Sequence, residues 1–206
     1  MVNRGTINYL NWVFGACLLV CAGRPLLAVA DEVASDALAL KNAEQSEGLA
    51  ETEKVTPDPE KQIPVTASTF VCLQELHAVR GFFVGNLLGK LEETVAAATQ
   101  PNGATYPAGS VVQLIPTEVM IKHRKGWNPA TRDWEFFELT VSQAGSKINV
   151  RGTTEVINKF DGNCFECHQK AAPQWDMICE HDHGCDSLPI PNFVIRMIQD
   201  GDPRCE

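Results

Sequence analysis

Apolar side chains recur along residues 66–206 with two different periods, and the change from one to the other marks the expected elements. Ser68 can cap a helix in which Val71, Leu73, Leu76 and Val79 fall at helical spacing, with Gly81 as its stop. Phe82, Phe83 and Val84 then read as a short buried strand. Leu87 to Thr99 predicts a second helix, with Leu87, Leu88, Leu91, Val95 and Ala98 on one side and Pro101 beyond its end. The alternative is one longer helix through Gly81 and Gly85, although each internal glycine costs about 1 kcal/mol.

Beyond Pro101 the period shortens. Tyr106-Pro107-Ala108-Gly109 has proline and glycine at the second and fourth places of a type I turn, and Ser110 to Ile115 follows as a strand. Pro116 donates no ladder hydrogen bond, so the strand is expected to sit at an edge or bulge there and to resume through Val119 to His123. A loop, Gly126-Trp127-Asn128-Pro129-Ala130-Thr131-Arg132-Asp133, leads into the aromatic-rich strand Trp134 to Val141. The turn Ala144-Gly145-Ser146 bounds that strand, and Lys147 to Arg151 pairs back. Together these imply an α+β domain: a mainly antiparallel β-sheet with flanking helices, and a C-terminal helix at Cys164-Phe165-Glu166-Cys167-His168.

The first 65 residues follow neither period. Residues 1–30 read as a secretory signal: Arg4, an apolar run through Trp12, Val13, Phe14, Leu18, Leu19 and Val20, and small residues flanking Val29 in Ala28-Val29-Ala30. Cleavage there starts the mature chain near Asp31. A retained anchor and a lipoprotein attached through Cys21 are the alternatives; Gly23-Arg24-Pro25 interrupts the first, and Val20 is large for the residue before a lipid-modified cysteine. Residues 31–65 hold nine Asp or Glu against three Lys and no aromatic residue, which reads as a disordered acidic linker. Residues 66–206, the expected folded domain, carry seventeen acidic and twelve basic side chains, so no phosphate-binding face is expected and nucleic acid is not an expected partner. No stable membrane insertion is expected after signal cleavage. The expected partners are a redox protein or a small ligand, and a homodimer is compatible with the chain.

Signal cleavage leaves Cys72, Cys164, Cys167, Cys179, Cys185 and Cys205. The pattern Cys164-x-x-Cys167-His168 is the attachment sequence of a c-type haem: one helical turn lets two thiols reach the two vinyl groups while the adjacent imidazole faces iron. One covalent haem c, with His168 as metal ligand, is therefore expected in a periplasmic, exported chain. The four remaining cysteines allow three pairings, of which Cys179 with Cys185 and Cys72 with Cys205 is favoured; the alternative leaves one or both pairs reduced. Two rival chemistries use the same thiols. Zinc could be bound by Cys164 and Cys167 with two ligands from Cys179-Glu180-His181-Asp182-His183-Gly184-Cys185, and a redox dithiol could use Cys164 and Cys167 alone. For a sixth iron ligand the chain offers Met120, Met177, Met197, His77, His123, His181 and His183, each with an ordinary packing or surface role as its alternative.

From Gly85 to Ala172 the chain resembles the cytochrome P-460 family, which includes the cytochromes c prime beta. The resemblance rests on Gly85-Asn86 before a helix, Tyr106-Pro107-x-Gly109 before a strand, Gly126-Trp127-Asn128-Pro129 and Asp133-Trp134 around a hairpin, and Cys164-x-x-Cys167-His168-x-x-Ala171-Ala172. It implies an antiparallel sheet with helices, His168 as proximal ligand, and a distal site that binds nitric oxide or oxidises hydroxylamine. Members that oxidise hydroxylamine cross-link a lysine to the porphyrin from the strand after the Pro-x-Gly turn. That stretch here is Ser110-Val111-Val112-Gln113-Leu114-Ile115, and the next lysine is Lys122. Phe136 and Phe137 are the candidate cofactor-binding residues for an apolar distal cap, one on each face of their strand.

Overall fold

A computed structural model describes residues 55–205, so the expected signal segment, residues 31–54 of the expected linker, Cys17 and Cys21 lie outside the described residues. Alternating side chains and tight turns build one six-stranded antiparallel sheet whose strands lie in chain order: β1 (His77–Val79), β2 (Phe82–Asn86), β3 (Ser110–Ile115), β4 (Glu118–Lys122), β5 (Trp134–Ser142) and β6 (Gly145–Gly152). Among the described residues three α-helices accompany it: α1 (Leu91–Thr99), the short α2 (Cys164–His168) and α3 (Asn192–Asp200). The domain is thus α+β, as the change of period implied. Among the described residues no helix is long and apolar enough to cross a membrane.

The sheet has two buried faces. Val84, Val112, Met120, Trp134 and Phe136 point to one, where they pack with Ala97 and Ala98 of α1, with Val156, Met177 and Ile178, and with Cys164 and Phe165 of α2. Val111, Val119, Ile121, Phe137 and Leu139 point to the other, against Val65 and Phe70. The period of two in the strands therefore buries both faces, and residues 63–70 form the second cover. In the segment expected as the end of the linker, Ile63 and Val65 are buried, the Ile63 amide donates to His123 Nδ1 at 2.8 Å, and Arg151 donates to the Val65 carbonyl at 3.1 Å.

Two expected elements differ. The helix from Ser68 to Val79 does not form; Ala67–Thr69 and Leu73–Glu75 are single 3-10 turns, and His77–Val79 is β1. Long-range contacts fix the segment instead: the Leu73 amide, which a helix would pair internally, donates to Asp202 Oδ2 at 3.0 Å, and the adjacent Cys72 is disulfide-bonded to Cys205. Pro116 does not interrupt one strand but occupies the turn between β3 and β4, where the register shifts between Gln113 and Ile115. Gln113 Nε2 donates to the Ile115 and Pro116 carbonyls at 3.1 and 2.9 Å.

The second expected helix starts at Leu91 rather than Leu87, because Asn86 organises the chain before it. Its Oδ1 accepts from the Leu88 and Lys90 amides at 2.8 and 3.1 Å, while its Nδ2 donates to Thr94 Oγ1 and the Ala108 carbonyl at 3.0 and 3.2 Å. Gly109 lies against the same side chain. Its φ is +89°, and a Cβ there would stand 2.8 Å from Asn86 Oδ1, so both the conformation and the space require glycine.

Candidate haem-attachment site

The loop before α2 is built by its own polar side chains. Asn158 Oδ1 accepts from the Phe160 and Gly162 amides, both at 3.0 Å. Asn163 then caps α2, its Oδ1 accepting from the Glu166 amide at 3.0 Å and its Nδ2 donating to the Thr154 carbonyl at 2.9 Å. The Cys164 amide donates to the Val156 carbonyl at 3.0 Å, which ties the start of the helix to the sheet-facing core. One turn of helix thereby carries Cys164, Cys167 and His168 together.

Cys164 and Cys167 are unpaired, whereas Cys72–Cys205 and Cys179–Cys185 are disulfides. The favoured sequence pairing is the one found. Burial pushes the Cys164 thiol up to about 12, with the carboxylates of Glu118 and Glu138 adding to the effect, and burial likewise raises Cys167. A redox dithiol needs a stabilised thiolate, and these thiols are held neutral instead. Zinc completed by Cys179 and Cys185 is not available, because those two sulfurs bond each other. Among the described residues no group of three His, Cys, Asp or Glu side chains is arranged to hold a metal ion.

His168 is half-buried. Its Nδ1 lies 2.7 Å from the Met177 carbonyl. A carbonyl only accepts, so Nδ1 carries the proton and Nε2 presents a lone pair. Desolvation of the imidazole lowers its pKa against a smaller opposing effect of the Met177 bond, which keeps the ring neutral. This is the state in which histidine ligates a metal, and an Nδ1–H bond to a backbone carbonyl is the usual way a ligating ring is oriented. The donor set therefore fits a c-type haem: two neutral, unpaired thiols and a neutral imidazole with Nε2 free. Ile157 and Phe160, in the loop leading into α2, are 46% and 51% exposed and offer apolar surface beside it.

Left-handed backbone at Asp176 (φ 51°) and Met177 (φ 69°) brings the Met177 carbonyl to His168. Three contacts hold that turn. Lys122 Nζ donates to Asp176 Oδ1 and Oδ2 at 2.8 and 2.7 Å, the Tyr106 amide donates to Oδ2 at 2.9 Å, and Trp134 Nε1 donates to the Asp176 carbonyl at 2.7 Å. Lys122, the lysine nearest the expected cross-linking stretch, is thus 5% exposed and bound to a carboxylate. Sequence reasoning missed Asp176 and Met177 as positioning residues, since nothing in their neighbours signals two consecutive left-handed residues.

Phe136 and Phe137 go to opposite faces as alternation requires, and only one reaches the site. The Phe136 ring centroid is 5.5 Å from that of His168. Phe136 therefore packs beside the expected proximal imidazole. Phe137 faces Phe70 at 5.1 Å and the Arg151 guanidinium at 4.9 Å on the other side of the sheet, so it cannot cap a group held by α2. Of the sixth-ligand candidates, Met120 and Met177 are buried in the core. His123 uses both nitrogens, accepting from the Ile63 amide and contacting Glu135 Oε2 at 2.8 Å. His183 donates through Nδ1 to the Ile178 carbonyl at 2.8 Å and stacks on Trp175. His77, His181 and Met197 are exposed.

No protein-family model matches the chain, and neither do curated proteins or solved structures.

Proposed function

We propose that the chain is an exported mono-haem c-type cytochrome of the cytochrome P-460 kind, in which Cys164 and Cys167 carry the haem and His168 is the proximal ligand. The observation that carries this reading is the 2.7 Å bond from His168 Nδ1 to the Met177 carbonyl, which fixes Nε2 as a free lone pair one helical turn from two unpaired thiols. The two disulfides support export, because such bonds persist in oxidising compartments, where c-type haem is also attached. When bound, the haem supplies one-electron chemistry and a site for a small ligand such as nitric oxide.

The chain's own residues orient and shield. Met177 holds the imidazole through Nδ1, Phe136 packs against its ring, and the Lys122–Asp176 pair holds the Met177 turn. The engagement of His123 and His183 and the burial of Met120 and Met177 remove four of the seven candidate iron ligands, which supports small-ligand binding over simple electron transfer. The hydroxylamine-oxidising reading has less support, since the Lys122 ammonium is bound by Asp176. The test is the visible spectrum of the mature protein made with cytochrome maturation factors. A high-spin ferrous spectrum that shifts with nitric oxide is expected. A low-spin spectrum unchanged by nitric oxide would overturn the small-ligand reading in favour of an electron carrier.

A further inference from the structure

On the face of the sheet that carries α2, two carboxyl groups stand where the strand pattern calls for apolar side chains. Glu118 is two residues before Met120 on β4, Glu138 is two after Phe136 on β5, and the two are direct cross-strand partners. Like charges so placed repel. Glu138 is 6% exposed. Glu118 Oε1 and Glu138 Oε2 are both buried without a hydrogen-bond partner, as is the neighbouring Thr117 Oγ1.

The groups facing the pair can be named element by element. The loop before α2 contributes the Asn158 side chain beside Glu118 and Lys159 beside both carboxyls. From α2, Cys164 senses both charges and Cys167 senses Glu118. Beside them, β3 offers only Ile115, opposite Glu118, and β6 only Val150, opposite Glu138. One lysine against two carboxyls leaves an excess negative charge in a desolvated position, and one added proton relieves both the repulsion and an orphaned oxygen. Burial, then Glu138, pushes Glu118 up to about 7, and burial also raises Glu138. As direct cross-strand partners the two carboxyls compete for the same proton.

Building on the haem reading, we infer that Glu118 and Glu138 form a shared proton site beside the haem attachment, which takes up one proton when the haem takes up one electron. A one-electron reductant, a redox partner protein or in the experiment the electrode, would supply the electron, solvent would supply the proton to the pair, and oxidation would return both. The electron's negative charge raises the proton affinity of the nearby carboxyls, so reduction and protonation favour each other.

The experiment is spectroelectrochemical titration of the haem-loaded protein from about pH 5 to about pH 9, with redox-difference infrared spectra in the carboxyl-stretch region. The midpoint potential is expected to fall with pH inside that range with a slope approaching about 59 mV per pH unit, the value for one proton per electron. A protonated-carboxyl band sensitive to deuterium should accompany reduction. Glu118→Gln and Glu138→Gln, made separately so that a fold defect in one leaves the other, are each expected to flatten the slope and remove the band. A potential independent of pH in the unaltered protein, or a slope that survives both substitutions, would overturn the inference while leaving haem attachment intact. Failure of haem to attach, read by haem stain on a denaturing gel, would overturn both.

Discussion

Replacing Asp176 by asparagine separates charge from packing at the turn that orients His168. The amide side chain keeps an oxygen for the Tyr106 amide and tolerates the left-handed φ of 51°, so the backbone has no reason to move. What changes is that the Lys122 ammonium, 5% exposed and 5.0 Å from the Trp134 ring centroid, loses its counter-charge. Removing one partner of a buried pair costs about 3–5 kcal/mol. For a domain of this size each kcal/mol lowers Tm by about 2–4 °C, so a drop of roughly 6–20 °C is expected at about pH 7, followed by circular dichroism with the disulfides intact. The pH dependence identifies the cause. Burial already lowers the Lys122 pKa. A lysine whose folded pKa lies below its unfolded value destabilises fully at low pH and less as the folded form gives up its proton. The deficit of Asp176→Asn should therefore narrow as pH rises toward about 10. Lys122→Met gives the opposite sign: burial raises the Asp176 pKa, so that variant's deficit should widen as pH rises from the ordinary carboxylate range up to the folded value. A loss below about 1 kcal/mol for Asp176→Asn, or a deficit that does not change with pH, would refute the reasoning.

Other substitutions address the core, the staples and the proton site. Phe136→Ala and Phe137→Ala remove rings that are each 1% exposed and should each cost about 3–5 kcal/mol in denaturant unfolding, but only Phe136→Ala should alter the haem spectrum. The chain-entropy estimate assigns about 5 kcal/mol to Cys72–Cys205, which closes a separation of 133 residues, and only about 2 kcal/mol to Cys179–Cys185, which closes six. Serine pairs at the two sites should rank in that order by urea midpoint, and the reverse ranking would contradict the loop-length explanation. Glu118, with its pKa raised to about 7, destabilises the folded chain above that pH and has no such effect below the ordinary carboxylate range. The gain in stability from Glu118→Gln should therefore grow as pH rises out of the carboxylate range and be complete above about pH 7, as measured by thermal unfolding across pH.

The middle of the chain was legible because its signals are local. Pro107 and Gly109 in the turn before β3, the aromatic alternation of β5 and Gly145 in the hairpin after it each act within a few residues, and β3, β5 and β6 appear where the pattern put them. Asn163, which caps α2, is likewise a residue type that favours a helix start by local hydrogen bonding. The segment at Ser68 was not legible, because Val71, Leu73, Leu76 and Val79 satisfy a helical spacing while Asp202, more than a hundred residues away, takes the Leu73 amide and Cys205 ties down Cys72 through a disulfide. In the site, Cys164, Cys167 and His168 announce themselves by spacing. Met177 and Asp176 contribute through a carbonyl and a left-handed turn, and neither leaves a mark in the residue types. Glu118 and Glu138 were present as polar interruptions of two apolar strands, but their opposition depends on the β4–β5 register, which periodicity does not supply.

Covalent haem attachment is the claim on which the rest depends, and intact mass of the mature protein made with cytochrome maturation factors measures it directly. One haem mass that survives denaturation, lost when Cys164 and Cys167 are both replaced by serine, is the expected result. A chain of unmodified mass, with both thiols free to alkylate, would contradict the account.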